Sequence, residues 1–184
     1  MKEYIIVNIN AKLQPDDREE LYEEPLNELL KEKLIGEVTG GGTYFCENRE
    51  IECCEIELEV SSYSKSNIDM IIKILESFNV PKDSTLFMTS TEKKITFGKT
   101  QGLAIYLNGK TLPDETYENC NLNVVYDEIT NLLKGIGSIQ SHWQGESESA
   151  FYMYGSSFDE MKNKIKPFLD TYPLCESCRI VQIA

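Results

Sequence analysis

From Cys54 to Val60 the chain alternates without a fault. Cys54, Ile56, Leu58 and Val60 fall on one side, and Glu55, Glu57 and Glu59 on the other. A period of two with a single apolar face defines a half-buried β-strand. Such a strand folds only with partners that carry the same pattern. The chain supplies them at Ile5, Val7 and Ile9, and again at Leu103, Ile105 and Leu107. An all-helical fold is therefore excluded at the outset.

Taken in order, the segments recur. Tyr4 to Lys12 is expected as a strand. Pro15-Asp16-Asp17 opens a helical segment, because acids favour a helix N-terminus. Leu26, Leu29, Leu30 and Leu34 then follow at helical spacing; Pro25 either breaks this segment or starts its main helix. Strands are expected over Ile35 to Phe45 and Ile51 to Val60. A helix carries Ile68, Ile71, Ile72, Leu75 and Phe78, and a short strand runs from Thr85 to Met88. The second half repeats the order. Leu103 to Asn108 is a strand and Val125, Ile129, Leu132 and Leu133 mark a helix. Ile136 to Trp143 and Ala150 to Tyr154 are strands. Phe158, Met161, Ile165 and Leu169 mark a helix, and Arg179 to Ile183 closes the unit. Ile35-Gly36 matches Ile136-Gly137, and Leu29-Leu30-Lys31 matches Leu132-Leu133-Lys134. Ordered matches of this kind indicate a tandem repeat. The β-α-β-β-α-β order resembles the ferredoxin-like fold, an α+β unit with an antiparallel sheet and helices on one face. The expected division is residues 1–90, a linker over 91–101, and 102–184, with Ile95-Thr96-Phe97 as a candidate strand extension inside the linker.

Charge narrows the partners. The formal net charge is −13 over 184 residues. Residues 1–60 hold 16 acids and 6 bases, so the negative field is concentrated there. Such a field repels nucleic acid and anionic membranes and attracts basic proteins. The N-terminus has no signal-peptide pattern, and no apolar run reaches the roughly 20 residues that span a bilayer. A cytoplasmic protein is expected, with its six cysteines reduced.

Five features invite a functional reading. The row Glu55, Glu57 and Glu59, with Asn8 and Asn10 beside it, is expected on the sheet face away from the helices, where it would meet a basic partner. Thr39-Gly40-Gly41-Gly42-Thr43 lies inside a strand and not at a helix N-terminus, so a bulge is expected over a phosphate loop, with close approach to the Gly41 backbone as the alternative. Cys175-Glu176-Ser177-Cys178 has the spacing of half a zinc site, but a closed site needs two further ligands. Tyr106, His142, Trp143 and Tyr152 lie on neighbouring strands. If Leu103, Ile105 and Leu107 face the helices, Ala104 and Tyr106 are open; the pattern over residues 150–154 does not decide whether Phe151 and Met153 or Tyr152 and Tyr154 join them. RNA-recognition motifs stack bases on these two strands, yet no glycine-aromatic pattern of that kind is present and basic residues are sparse. His142, the chain's one histidine, has no nucleophile motif to work with.

The expectation is a non-enzymatic, acidic binding module. It would act as an inhibitor or immunity-type protein that neutralises a basic partner such as a toxin. No cofactor, no metal, no nucleic acid and no membrane is expected to be bound. The alternative is a small-molecule-binding protein or enzyme with a cleft between the two units, lined by Tyr106, His142, Trp143, Tyr152 and Gly41.

Overall fold

The alternating stretch becomes β3 (Ile51–Val60), which pairs along its length with β1 (Glu3–Ile9) in the computed structural model, which describes residues 2–184. Met1, the first residue of the expected N-terminal unit, lies outside them. Among the described residues the first unit holds 2–46, 51–100 and Ala184. Its sheet is antiparallel in the order β2-β3-β1-β4-β5, with β2 at Gly36–Phe45, β4 at Ser84–Met88 and β5 at Lys93–Phe97. Ile5, Val7, Ile9, Ile56 and Leu58 are buried on one face. Against it lie α1 (Pro15–Arg18), a π turn (Glu19–Glu23), α2 (Glu24–Glu32) and α3 (Lys65–Ser77). Ser64 caps α3, its hydroxyl accepting from the Asn67 amide at 3.2 Å.

The first helical segment keeps a strict interval of four. Arg18, Tyr22, Leu26 and Leu30 are its buried residues. In a pure α-helix a four-residue row drifts by about 40° per step. The π turn closes its hydrogen bonds over five residues instead of four. It takes up part of that drift and holds the row against the sheet. Pro25, which has no N–H to give, stands where the π turn passes into α2; the helix runs on through it.

The second unit holds Glu47–Glu50 and Gln101–Ile183. Its antiparallel sheet has the order β7-β8-β6-β9, with β6 at Gln101–Asn108, β7 at Gly137–Gln144, β8 at Glu148–Gly155 and β9 at Arg179–Gln182. Three helices accompany it, α4 (Asp114–Asn119), α5 (Leu122–Leu132) and α6 (Phe158–Leu169). Leu103, Ile105, Leu107, Phe151 and Met153 form one core with Val125, Ile129, Met161 and Ile165. Ser157 caps α6 by accepting from the Glu160 amide at 3.3 Å, the S-x-x-E pattern of a capping box.

Each unit is therefore ferredoxin-like, with the same strand order and helices on one sheet face. The recurrence extends to irregularities. The β2–β3 pairing shifts register between Val38 and Gly40, and the β7–β8 pairing between Ile139 and Ser141. Both bulges stand at the same distance from the Ile-Gly pair that opens the strand. No helix among the described residues is long and apolar enough to cross a membrane.

Three expectations need correction. The stretch read as a linker holds β5, whose Ile95 pairs with Leu86 and widens the first sheet to five strands; alternation too short to stand out in sequence is completed by the β4 edge. Leu34 does not belong to the apolar helix face, because the helix has already ended there and its side chain is 87% exposed. Ala104 and Tyr106 lie on the face away from the helices but are not open: Ala104, Tyr106, Tyr152 and Tyr154 are all buried.

Candidate functional site

Register places the glutamate row as the alternation requires. Glu59, Glu57 and Glu55 stand opposite Tyr4, Ile6 and Asn8 on β1. Not all three carboxylates are available. Glu59 is held by the Lys2 ammonium at 2.6 Å and accepts from the Tyr4 hydroxyl at 3.2 Å. Glu55 accepts from the Tyr44 hydroxyl at 2.9 Å, a bond that raises the Tyr44 pKa above its ordinary value. Glu57 is exposed. Asn10 lies one residue beyond β1 and its side chain donates to the Lys82 carbonyl at 3.0 Å, which ties a turn rather than presenting a contact.

A second acidic row appears on the first helical segment, two residues out of step with the buried row. Asp16, Glu20, Glu24, Glu28 and Glu32 are spaced by four and all are exposed. Two residues of helix turn the side chain by about 200°, so this row faces away from the sheet. Stability does not ask for it. Like charges four apart on a helix are destabilising by about 0.2–0.5 kcal/mol per pair, and acids near a C-terminus oppose the dipole.

Gly41 is approached closely, by the protein itself. A Cβ built there would stand 2.1 Å from Glu23 Oε1 and 2.9 Å from the Glu55 carbonyl oxygen. Glu23 in turn pairs with the buried Arg18 at 2.5 Å, an i,i+5 contact that the π turn makes possible. Arg18 also donates to the Thr43 hydroxyl at 2.5 Å. The glycine thus makes room for the carboxylate of a buried ion pair.

In the second unit Tyr106 and Tyr152 come together, with edge-to-face rings 6.5 Å apart, which decides the face that the pattern over residues 150–154 left open. Both hydroxyls donate to one oxygen of Glu50, at 2.6 and 3.2 Å. Burial is the first cause that raises both tyrosines, and the Glu50 charge and hydrogen bonds add to it. Arg179 lies 4.4 Å above the Tyr106 ring and makes a two-pronged bond to Glu148, 3.1 Å from Nε and 2.8 Å from Nη2. Trp143 shares this face, paired with Ala150, whereas His142 pairs with Phe151 and so lies on the opposite face. The indole N–H of Trp143 is buried without an acceptor. A cleft of about 850 Å³ is lined by Glu47, Asn48, Arg49, Trp143, Gly145 and Glu148 among others.

Cys175 is buried in the second core, and burial pushes its thiol up to about 12, with Cys178 and Cys120 as charged-state neighbours adding to the shift. A thiol that holds its proton is a poor nucleophile and a poor metal ligand. Among the described residues no group of three or more His, Cys, Asp or Glu side chains is arranged to hold a metal ion.

No family model and no curated protein matches the chain. Several solved structures align along its whole length at low similarity. Two bacterial chains each described as a "putative monooxygenase" do so. That from Lactobacillus acidophilus is 13% identical, with 100% of this chain and 94% of that chain covered and a TM-score of 0.31. That from Fusobacterium nucleatum is 11% identical, with 98% and 90% covered and a TM-score of 0.32. The first two RRM domains of a yeast poly(U)-binding protein are 11% identical, with 98% and 99% covered and a TM-score of 0.24. These similarities carry no argument about activity.

Sequence reasoning passed over the helical row and Glu50, and it put Leu34 on the wrong surface. The row was legible: its interval of four is shared with Arg18, Tyr22, Leu26 and Leu30. Glu50 gives no local signal, because its tyrosine partners lie 56 and 102 residues away.

Proposed function

We propose that this chain is a non-enzymatic binding module whose acidic first unit receives a basic protein, in the manner of an inhibitor or immunity-type protein. One observation carries the reading: five exposed acids, Asp16 to Glu32, form a row on the helix face away from the sheet, and from Glu20 on its like-charge neighbours weaken the helix. The segment Pro15–Glu32 has eight acids against Arg18 and Lys31, and Arg18 is consumed by Glu23. A uniform field of this kind speeds association with a cationic surface and makes it salt-sensitive. Because Glu59 and Glu55 already have partners, the helical row, more than the sheet row, supports the contact.

The test replaces Glu20, Glu24, Glu28 and Glu32 with Gln. Wild-type protein immobilised in an extract of its own cells at low salt is expected to retain a basic protein, and the variant to release it. Equal retention by a variant that keeps the wild-type circular dichroism spectrum would dismiss the reading.

The small-molecule alternative has one observation in its favour, the cleft beside Trp143. Saturable thermal stabilisation by a metabolite, lost in Trp143→Ala, would favour it over the binding module.

A further inference from the structure

Leu34 is out of place by every local criterion. It follows α2 with φ of 55°, a left-handed conformation that glycine adopts freely and that L-residues other than Asn and Asp avoid. It ends the helix in a Schellman motif: the Ile35 amide donates to the Leu30 carbonyl at 3.0 Å, and the Leu34 amide to that of Lys31 at 3.1 Å. Glycine is the usual residue here, and the second unit uses one. Gly135, with φ of 84°, precedes Ile136-Gly137 just as Leu34 precedes Ile35-Gly36. The first unit instead places a leucine at this turn and leaves it 87% exposed.

The surroundings give that leucine a use. A pocket of about 430 Å³ is lined by Leu34, Ile35, Gly36 and Val60, with Lys2, Lys31, Glu37 and Glu59 around it. Ile35 and Val60 are buried and form an apolar floor. Gly36 lets the backbone in: a Cβ there would stand 2.1 Å from the Glu59 carbonyl oxygen. The rim is two ion pairs, Lys2 with Glu59 at 2.6 Å and Lys31 with Glu37 at 3.4 Å. An apolar centre with a polar rim is the anatomy of a protein interface. Glu32 follows the pocket residue Lys31 in the chain, and Leu34 stands two residues beyond Glu32, so a partner seated on Leu34 is within reach of the C-terminal end of the acidic row.

We propose that Leu34 is the apolar anchor of the acidic docking surface, and that the partner inserts an apolar side chain flanked by lysines or arginines beside it. The inference rests on the acidic-module reading and adds the chemistry of the contact. Charge complementarity selects the occupant. A second copy would bring its own acidic row against this one and carries the same charge of −13, which opposes self-docking. A basic segment gains the row and the pocket together.

The probes are two synthetic helical peptides of equal length and charge, one of lysine and leucine with the leucines on one face, the other with serine replacing leucine. Wild type is expected to bind the leucine peptide at least about tenfold more tightly than the serine peptide, as burial of one or two apolar side chains implies. Amide shifts should centre on residues 31–37 and 59–61. Leu34→Gly should lose that tenfold preference and bind the serine peptide as wild type does; the turn accepts glycine, because its φ of 55° is one that glycine adopts freely. An unchanged preference in Leu34→Gly, amide shifts elsewhere, or a sedimenting dimer that Leu34→Gly dissociates would each overturn the anchor. If the serine peptide binds in a salt-sensitive way that the four-Gln variant loses, the acidic module stands even where the anchor fails. If neither peptide binds at low salt, both readings fall.

Discussion

Leu34 and Gly135 each have a positive φ and each stands immediately before the Ile-Gly pair that opens the next strand, Leu34 one residue and Gly135 two residues past the helix C-cap. The backbone pays at one site and not at the other. Leu34→Gly is expected to stabilise the protein by about 0.5–1 kcal/mol, since relief of left-handed strain slightly exceeds the extra chain entropy of glycine. Gly135→Ala is expected to cost about 1 kcal/mol by backbone strain alone, because nothing lies within 4 Å of the added Cβ. Urea denaturation of the two variants checks the pair. Changes of the same sign would refute the contrast.

Glu50 holds two buried hydroxyls at once, so its loss should cost more than one hydrogen bond. Glu50→Ala leaves both Tyr106 and Tyr152 without that acceptor, and an unsatisfied buried polar group costs about 1–3 kcal/mol. Glu50→Gln keeps an acceptor oxygen and should be milder. Combining Glu50→Ala with Tyr106→Phe and Tyr152→Phe should recover part of the loss, since no orphaned hydroxyl then remains. Strict additivity of the three substitutions in a denaturation series would show that the cluster does not act as a unit.

The same cluster sets a response to alkali. Tyr106 and Tyr152 are raised above the ordinary tyrosine value of 10.0, first by burial and then by Glu50. Below that value both folded and unfolded chains keep these protons, and stability does not depend on them. Above it the unfolded chain releases them while the folded chain does not. Stability therefore falls as pH rises past about 10, by up to about 1.4 kcal/mol per pH unit for each tyrosine. Cys175, raised from 9.0 to about 12, acts in the same direction from a lower pH. The Tyr106→Phe, Tyr152→Phe double variant should lose the tyrosine part and show a flatter decline of melting temperature over this window. Identical slopes would mean that the two phenols titrate normally.

Much of the fold was legible because its determinants are local. The alternation from Cys54 to Val60, the Ile-Gly pairs and the apolar spacing of each second helix all act within a few residues. Even the bulge in the glycine run was readable, since glycine inside a strand marks one. What escaped depends on distance or on a local signal that is missing. β5 has little alternation of its own and is a strand because β4 offers an edge. α2 ends at Glu32 in a turn that no glycine announces, so Leu34 was counted on an apolar face that had already ended. The sheet face bearing Glu55 and Glu59 was placed correctly, but the lysine and tyrosines that occupy those carboxylates come from Lys2, Tyr4 and Tyr44, and proximity between strands is not written in either strand alone.

Gly41 tests the buried ion pair. Gly41→Ala puts a methyl against Glu23 Oε1 and the Glu55 carbonyl oxygen. The carboxylate can move only by leaving Arg18, which is 8% exposed, and the backbone oxygen can move only with the sheet. Overpacking of this sort costs about 1–3 kcal/mol. Glu23→Ala in the same chain would open the space but strand a buried guanidinium, so the double variant should be no more stable than Gly41→Ala. Full rescue by Glu23→Ala would show that Arg18 does not need its partner.

The acidic row on the first helical segment separates stability from use. Glu20, Glu24, Glu28 and Glu32 make three like-charge contacts at intervals of four, each unfavourable by about 0.2–0.5 kcal/mol. Replacing all four with Gln should raise stability by about 1 kcal/mol at low ionic strength. The gain should shrink in high salt, where the Debye length falls to about 3 Å at 1 M. The same variant is the one expected to lose a basic partner. On the proposed reading, the row that weakens the fold is the row that makes the contact. Thermal denaturation of wild type and variant at two salt concentrations measures this directly. A loss of stability on neutralisation would mean that the carboxylates serve the helix, and the docking surface would have to be sought elsewhere on the chain.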